Sequence, residues 1–182
     1  MAVPSRAAGP MPVEPAEVAP MHRLYIGLGA NLGDSRATLE AACAELAVLP
    51  DCRWVARSGC YRSAPVDTSG PDFLNAVVAL DCHLDRIDGP LRVLRALQAI
   101  ELGHGRERPF RYAPRTLDLD LLLYGDVVLD SPELTVPHPR LHLRAFVLRP
   151  LLELAPDLLL PGIGPARNCL PAVLDQAIER LA

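Results

Sequence analysis

The segment Arg115-Thr116-Leu117-Asp118-Leu119-Asp120-Leu121-Leu122-Leu123-Tyr124 limits what this chain can fold into more than any other. It is apolar enough to be a strand, yet two carboxylates interrupt it. Strand side chains alternate faces, so Asp118 and Asp120 point one way, roughly 6.6 Å apart along the backbone, while Leu117, Leu119 and Leu121 point the other. One face is therefore core. The other is either simply wet, as on any half-buried strand, or a place where cations hold two like charges together. Adjacent carboxylates can bracket one or two Mg2+ ions about 3.5 to 4 Å apart. Upstream lie Arg106, Arg108, Arg111 and Arg115, and acids beside a run of guanidiniums favour metal together with polyphosphate.

Charge narrows the partners. The 182-residue chain has a formal charge of -4, which argues against general affinity for nucleic acid or an anionic membrane, so any anion recognition must be local. All 18 basic residues are Arg and none is Lys, which excludes a P-loop. Phosphates must be held by Arg, His, backbone or metal. Half of the residues are apolar and only 4% are aromatic, enough for one core built of Leu, Val and Ala. We expect a single domain over residues 21–182, preceded by a proline-rich, disordered tail over residues 1–20. No apolar run approaches the roughly 18 residues of a membrane span, and none suits a signal peptide. The cysteines Cys43, Cys52, Cys60, Cys82 and Cys169 are odd in number and lack CxxC spacing, which reads as reduced thiols in a cytoplasmic protein.

The rest of the chain alternates strand and helix patterns. Leu24 to Gly29 reads as a buried strand ending in the turn Gly29-Ala30-Asn31-Leu32-Gly33-Asp34, and Ser35 can open a helix with Leu39, Ala42, Cys43, Leu46 and Leu49 on one face. Arg53 to Tyr61 predicts a strand, Ser63 to Gly70 a long loop, and Phe73 to Leu80 a second strand in which Leu74, Ala76, Val78 and Leu80 alternate. Asp88 is an N-cap candidate for a helix from Pro90 to about Gly103. After the arginine loop and the acidic strand come a small hairpin at Asp130-Ser131-Pro132, a helix from about Leu143 to Leu154, and an amphipathic C-terminal helix carrying Leu170, Leu174, Ala177, Ile178 and Leu181. The fold class is α+β. The order βαββαβ suits a ferredoxin-like sheet with helices packed on it and a small extra hairpin.

Several motifs stand in a familiar order. Gly29-Ala30-Asn31-Leu32-Gly33-Asp34, Tyr61-Arg62-Ser63-Ala64-Pro65, Pro71-Asp72-Phe73-Leu74-Asn75-Ala76, Ile100-Glu101-Leu102 with Gly105-Arg106, Arg115 to Asp120, and Val136-Pro137-His138-Pro139-Arg140 together resemble the 6-hydroxymethyl-7,8-dihydropterin pyrophosphokinases, over about residues 22–163. The resemblance implies transfer of pyrophosphate from ATP to a pterin alcohol in folate biosynthesis, with ATP as co-substrate and two Mg2+ ions held by Asp118 and Asp120. It implies catalytic work for Arg106, Arg115, Asp118 and Asp120, and ATP contacts from Gln98, Glu101, Arg106, Arg108, Arg115, His138 and Arg144. A salt link to the loop arginines is nearly as natural a use of Glu101. On the pterin side it implies Phe73 and Phe146 stacking on the ring, Asn75 reading its edge, and Ser63, Pro65, Val66 and Tyr112 closing the pocket. The partners are then ATP and the pterin, without nucleic acid or membrane. His104 and His142 read as surface residues, and the loops Ser63 to Gly70 and Gly103 to Ala113 as lids that exclude water. Two other classes fit parts of this pattern. A nucleotidyl transferase palm also carries paired Asp on such a sheet, although it would want a basic groove. A catalytically silent pterin- or nucleotide-binding module would not need Asp118, Asp120 and Arg115 intact.

Overall fold

Three apolar runs have the alternation and branching of strands, and the computed structural model, which describes residues 20–65, 70–105 and 116–182, lays them side by side. The first, β1 (His22–Ala30), leads into α1 (Ser35–Leu46), where the Asp34 carboxylate accepts from Ala37 N at 3.0 Å. That cap satisfies one of the N–H groups a helix start leaves without a partner. Next come β2 (Cys52–Arg57), β3 (Tyr61–Ser63) and β4 (Phe73–Cys82). Helix α2 (Gly89–Gly103) has Pro90 in its first turn, where a missing N–H costs nothing. Asp88 occupies its N-cap without a side-chain capping bond, and the Asp85 carboxylate instead accepts from the N–H groups of Ile87 and Asp88, both at 2.7 Å.

Strand β5 (Asp118–Tyr124) precedes the hairpin of β6 (Leu129–Asp130) and β7 (Thr135–Val136). A 3-10 turn at Leu141–Leu143 enters α3 (Ala145–Leu154). A second small hairpin, β8 (Leu159–Leu160) with β9 (Gly164–Pro165), leads to a 3-10 helix over Ala166–Val173 and a last strand, β10 (Ile178–Arg180). The main sheet runs β10-β3-β4-β1-β5, with β2 also on β4, and every ladder is antiparallel. This is the expected ferredoxin-like arrangement with its extra hairpin. Among the described residues no helix is long and apolar enough to cross a membrane.

The sheet is covered on both faces. Leu24, Ile26 and Leu28 of β1, Val78 and Leu80 of β4, and Leu119 and Leu121 of β5 form one core with Leu39 and Leu46 of α1 and Leu97 of α2. Tyr25, Val77, Ala79 and Leu122 form the other with Val147, Leu148 and Leu151 of α3. Hence β4 is buried continuously from Leu74 to Cys82 and not only at alternate positions, because α3 covers the face that would otherwise be wet.

Three expectations need correction. The predicted strand over 53–61 is two strands, broken at Ser58-Gly59. There Ser58 Oγ accepts from Val77 N at 3.0 Å and donates to Gly59 O at 2.8 Å, so a hydroxyl takes over from the ladder. The C-terminal segment is not an α-helix. Pro171 lacks the N–H that a continuing helix needs, and the apolar positions are used in a 3-10 helix and in β10, which pairs with β3 from Ile178↔Ser63 to Arg180↔Tyr61. Nor are all five thiols reduced. Cys52 and Cys82, 30 residues apart, sit opposite each other on β2 and β4 with Cα atoms 4.0 Å apart and are joined as a disulfide. Spacing along the chain does not report cross-strand neighbours. Cys43, Cys60 and Cys169 are free thiols.

Glu153 of α3 ties the C-terminal strand down. Its carboxylate accepts from Tyr61 Oη at 2.7 Å, from Gly59 N at 2.9 Å and from the Arg180 guanidinium at 3.2 and 3.3 Å. Chiefly through Arg180, and against the opposing effect of burial, these bonds pull its pKa from 4.5 to about 2. A carboxyl group with a depressed folded pKa contributes stability that is complete above its unfolded pKa and is lost as pH falls through the folded value. Glu153→Gln is therefore expected to lower the melting temperature most above about pH 5, with the gap to the wild type closing toward about pH 2. Thermal melts of both proteins across that range check this, and a gap that does not change with pH would contradict it.

Candidate active site

One end of the sheet brings Asn75, Asp118 and Asp120 to the α3 face. Register pairs Asn75 of β4 with Gly29 of β1, and Gly29 with Asp118 of β5, so the three lie in one row across the strands. On the far side of β4, Asn75 pairs with Tyr61 and Phe73 with Ser63 of β3. Gly29 gives this row a low floor. A Cβ there would stand 3.5 Å from Asn75 Oδ1 and 3.8 Å from the Phe73 ring, so any longer side chain would occupy the space between them. A bulge in the β1–β5 ladder, between Tyr25 and Ile26, makes Leu122 the extra residue. Its side chain packs over the bare face of Gly27, where a Cβ would meet it at 3.4 Å.

Asn75 is buried, and its amide donates to Ser63 Oγ at 3.0 Å and Tyr61 O at 3.3 Å. These bonds orient the amide, with Oδ1 toward Gly29. Phe73, two residues earlier on β4, is half-buried, as is Pro65. Phe146, in the first turn of α3, is half-buried as well, and the Arg144 guanidinium carbon lies 5.4 Å from its ring centroid, in cation–π range. Arg144 Nη1 stands 3.9 Å from Asp120 Oδ2, near enough for charge attraction but beyond a direct hydrogen bond. The two aspartates project from the half-buried face of an edge strand, while Leu117, Leu119 and Leu121 are buried on the other, as expected. Carboxylate oxygens on a partly exposed face are hard donors of the kind Mg2+ selects.

Glu101 and His138 flank that edge. Glu101 is 1% exposed, and its Oε1 accepts from Leu119 N at 2.8 Å, holding the residue between the two aspartates to α2. Gln98, three residues earlier on the helix, is exposed, so the two do not share an environment. His138 accepts at Nδ1 from Arg140 N at 3.2 Å, which leaves the proton on Nε2. Burial, reinforced by the Arg144 and Arg140 charges, lowers its pKa to about 4 against a weaker opposing effect of Asp118, so the ring is neutral at physiological pH. A cavity of ≈ 240 Å3 opens along the free edge of β5, lined by Asp120, His138, Leu94 of α2 and the β6–β7 hairpin.

Arg106, Arg108, Arg111, Tyr112 and Arg115 lie outside the described residues, as do residues 66–69 of the first predicted lid, Val66 among them, and residues 106–113 of the second. His104 and His142 are less exposed than predicted. The His104 side chain is 16% exposed and bonds Glu45 at 2.7 Å, and His142 Nδ1 is buried without a hydrogen-bond partner among the described residues. Gly29 as the floor of the site had a signal in its motif, but its use appears only in the register.

The model of a family described as 7,8-dihydro-6-hydroxymethylpterin-pyrophosphokinase matches residues 25–156. The chain belongs to this family. A 2-amino-4-hydroxy-6-hydroxymethyldihydropteridine pyrophosphokinase of Pseudomonas aeruginosa is 48% identical over 162 residues, covering 88% of this chain and 98% of the relative. One of Methylorubrum extorquens is 42% identical over 162 residues, covering 88% and 99%. Two solved structures share the fold: Plasmodium falciparum HPPK-DHPS with pterin and p-hydroxybenzoate (TM-score 0.64, 13% identity) and an HPPK-DHPS in complex with substrates (TM-score 0.65, 11% identity). Each match covers 86% of this chain and 44% of the longer crystal chain.

In a pyrophosphokinase of this family the Glu101 contact would keep the acidic strand in place. Glu101→Ala is expected to destabilise the enzyme by about 1 to 3 kcal/mol, because it strips a buried N–H of its acceptor. Glu101→Gln keeps an oxygen at the site and is expected to cost less. Denaturant unfolding of both variants checks this, and equal losses would place the effect elsewhere.

Proposed function

We propose that this end of the sheet carries the family's reaction, the transfer of pyrophosphate from ATP to the hydroxymethyl group of 6-hydroxymethyl-7,8-dihydropterin in folate synthesis. What supports the reading is the row shared by Asn75, Gly29 and Asp118, which leaves a bare glycine backbone between a buried amide and a carboxylate, as a flat heterocycle beside a charged phosphate site requires. The pterin lies over Gly29, stacked between Phe73 and Phe146, with its edge read by Asn75 and the pocket closed by Ser63, Pro65, Val66 and Tyr112. ATP lies along the edge of β5. His138 offers a neutral N–H donor on the cavity wall and Arg144 a fixed positive charge beside Asp120. Gln98 and Glu101 stand on the nucleotide side, Glu101 through its hold on Leu119.

Asp118 and Asp120 would hold two Mg2+ ions, which would supply charge neutralisation for the phosphates. The protein's own part is positioning and exclusion. The pocket orients the hydroxymethyl oxygen for in-line attack at the β-phosphorus, and AMP departs. Arg106, Arg108 and Arg115 contribute forked donors to the phosphates from the loop before β5. Residues 21–182 act as one catalytic domain, with residues 1–20 accessory to it. A cytoplasmic location belongs to the same reading, since ATP is supplied there.

Replacing carboxylate by amide separates a metal site from a structural ion-pair network. Asp118→Asn and Asp120→Asn are each expected to raise the Mg2+ needed for turnover and to lower kcat by at least ~10²-fold, the scale of losing one preorganised charge contact. Melting temperature should change little, since relief of like-charge repulsion is offset at Asp120 by loss of the Arg144 attraction. Unchanged turnover with a large fall in melting temperature would mean that the strand is structural.

A further inference from the structure

The family model ends at residue 156, and the chain beyond it returns to the site from behind. Beyond the β10–β3 pairing, one side chain there makes a polar contact next to Arg144. Gln176 Nε2 donates to Leu143 O at 2.8 Å, and its Oε1 accepts from Ala145 N at 2.8 Å. Those are the backbone groups on either side of Arg144. Arg144 is extended there, at φ -127 and ψ 115, and provides no side-chain cap for α3. The Gln176 amide thus behaves as a one-residue strand partner 31 positions away, and it satisfies the first N–H of the helix.

Between the two clamped groups lies Arg144, a cation beside Asp120. Arg144 faces Asp120 at 3.9 Å and the Phe146 ring at 5.4 Å. Its φ and ψ set the direction from which the side chain leaves the backbone, and the Gln176 bonds hold the peptide groups on both sides of it. The segment that delivers Gln176 is itself anchored. Two residues on, Ile178 pairs with Ser63, and Arg180 is held by Glu153. The chemistry calls for an amide, since one planar group must both donate and accept. A carboxylate could accept from Ala145 N but would set an oxygen against Leu143 O.

We propose that Gln176 is a positioning residue for pyrophosphoryl transfer, its side-chain amide clamping the backbone on both sides of Arg144 so that the guanidinium meets the nucleotide beside Asp120. This rests on the reading of Arg144 as a nucleotide contact. Steady-state kinetics of the full chain with ATP, Mg2+ and the pterin alcohol test it on Gln176→Ala, Gln176→Glu, Arg144→Ala and the double variant Gln176→Ala with Arg144→Ala. Displacing a positioned group costs on the order of 10- to 100-fold in rate, so Gln176→Ala and Gln176→Glu should each lower kcat/KM for ATP by about that factor and leave KM for the pterin nearly unchanged. In the Arg144→Ala background the further loss from Gln176→Ala should shrink to within about twofold, because residues acting as a unit are not additive.

A Gln176→Ala enzyme with wild-type kinetics, or one whose loss is undiminished in the Arg144→Ala background, overturns the proposal while leaving Arg144 as a contact. An Arg144→Ala enzyme with wild-type kinetics overturns both. Should Gln176→Ala not fold, Gln176→Glu in both backgrounds carries the same comparison, because it keeps the acceptor for Ala145 N and loses only the donor.

Discussion

The pairing of β1 between β4 and β5 is the constraint on which the rest depends. Because Gly29 is opposite Asn75 on one side and Asp118 on the other, a polar amide and a carboxylate stand two strand spacings apart, roughly 9.6 Å, with no side chain between them. Slipping either ladder by one residue would turn one of the two into the α1–α2 core. The apolar alternation of β1, β4 and β5 therefore fixes the geometry of the site as well as the stability of the sheet. Helix α3 then closes the same face, burying Leu148 and Leu151 against Val77 and Ala79 while its first turn presents Phe146.

Electrostatics at this end are local, as a chain of net charge -4 without lysine requires. Arg144 approaches Asp120 without a direct hydrogen bond, and His138 is kept neutral by burial and by two nearby arginines. Glu101 works differently. Its buried carboxylate accepts the N–H of Leu119 on a strand that, among the described residues, has a ladder on one side only. A β5 edge held in this way keeps Asp118 and Asp120 facing the site.

Much of this was legible in the sequence because it follows from alternation. The period of two in Leu117 to Leu121 placed both aspartates on one face, and the order of strand and helix patterns gave the ferredoxin-like sheet. The errors fall where tertiary pairing overrides a local pattern. Leu170, Leu174 and Ile178 have helical spacing, yet Pro171 and the open edge of β3 draw the segment into a 3-10 helix and a strand. Cys52 and Cys82 gave no spacing signal because they meet only through the β2–β4 register. Gln176 had no signal either, since its partners are backbone groups in a segment 31 residues earlier. The arginine run of residues 106–115 was conspicuous in composition, and the proposal that it binds phosphate rests on that and on the family.

The central claim is that the row from Asn75 to Asp118 sets the pterin beside the metal-held phosphates. Paramagnetic relaxation tests this most directly, with Mn2+ in place of Mg2+, a non-hydrolysable ATP analogue and the pterin alcohol bound together. The account predicts strong, distance-dependent relaxation of the pterin hydroxymethyl protons that disappears in Asp118→Asn. Relaxation no greater than in a Mn2+-free complex, with both ligands shown to be bound, would put the pterin elsewhere on the protein and contradict the account.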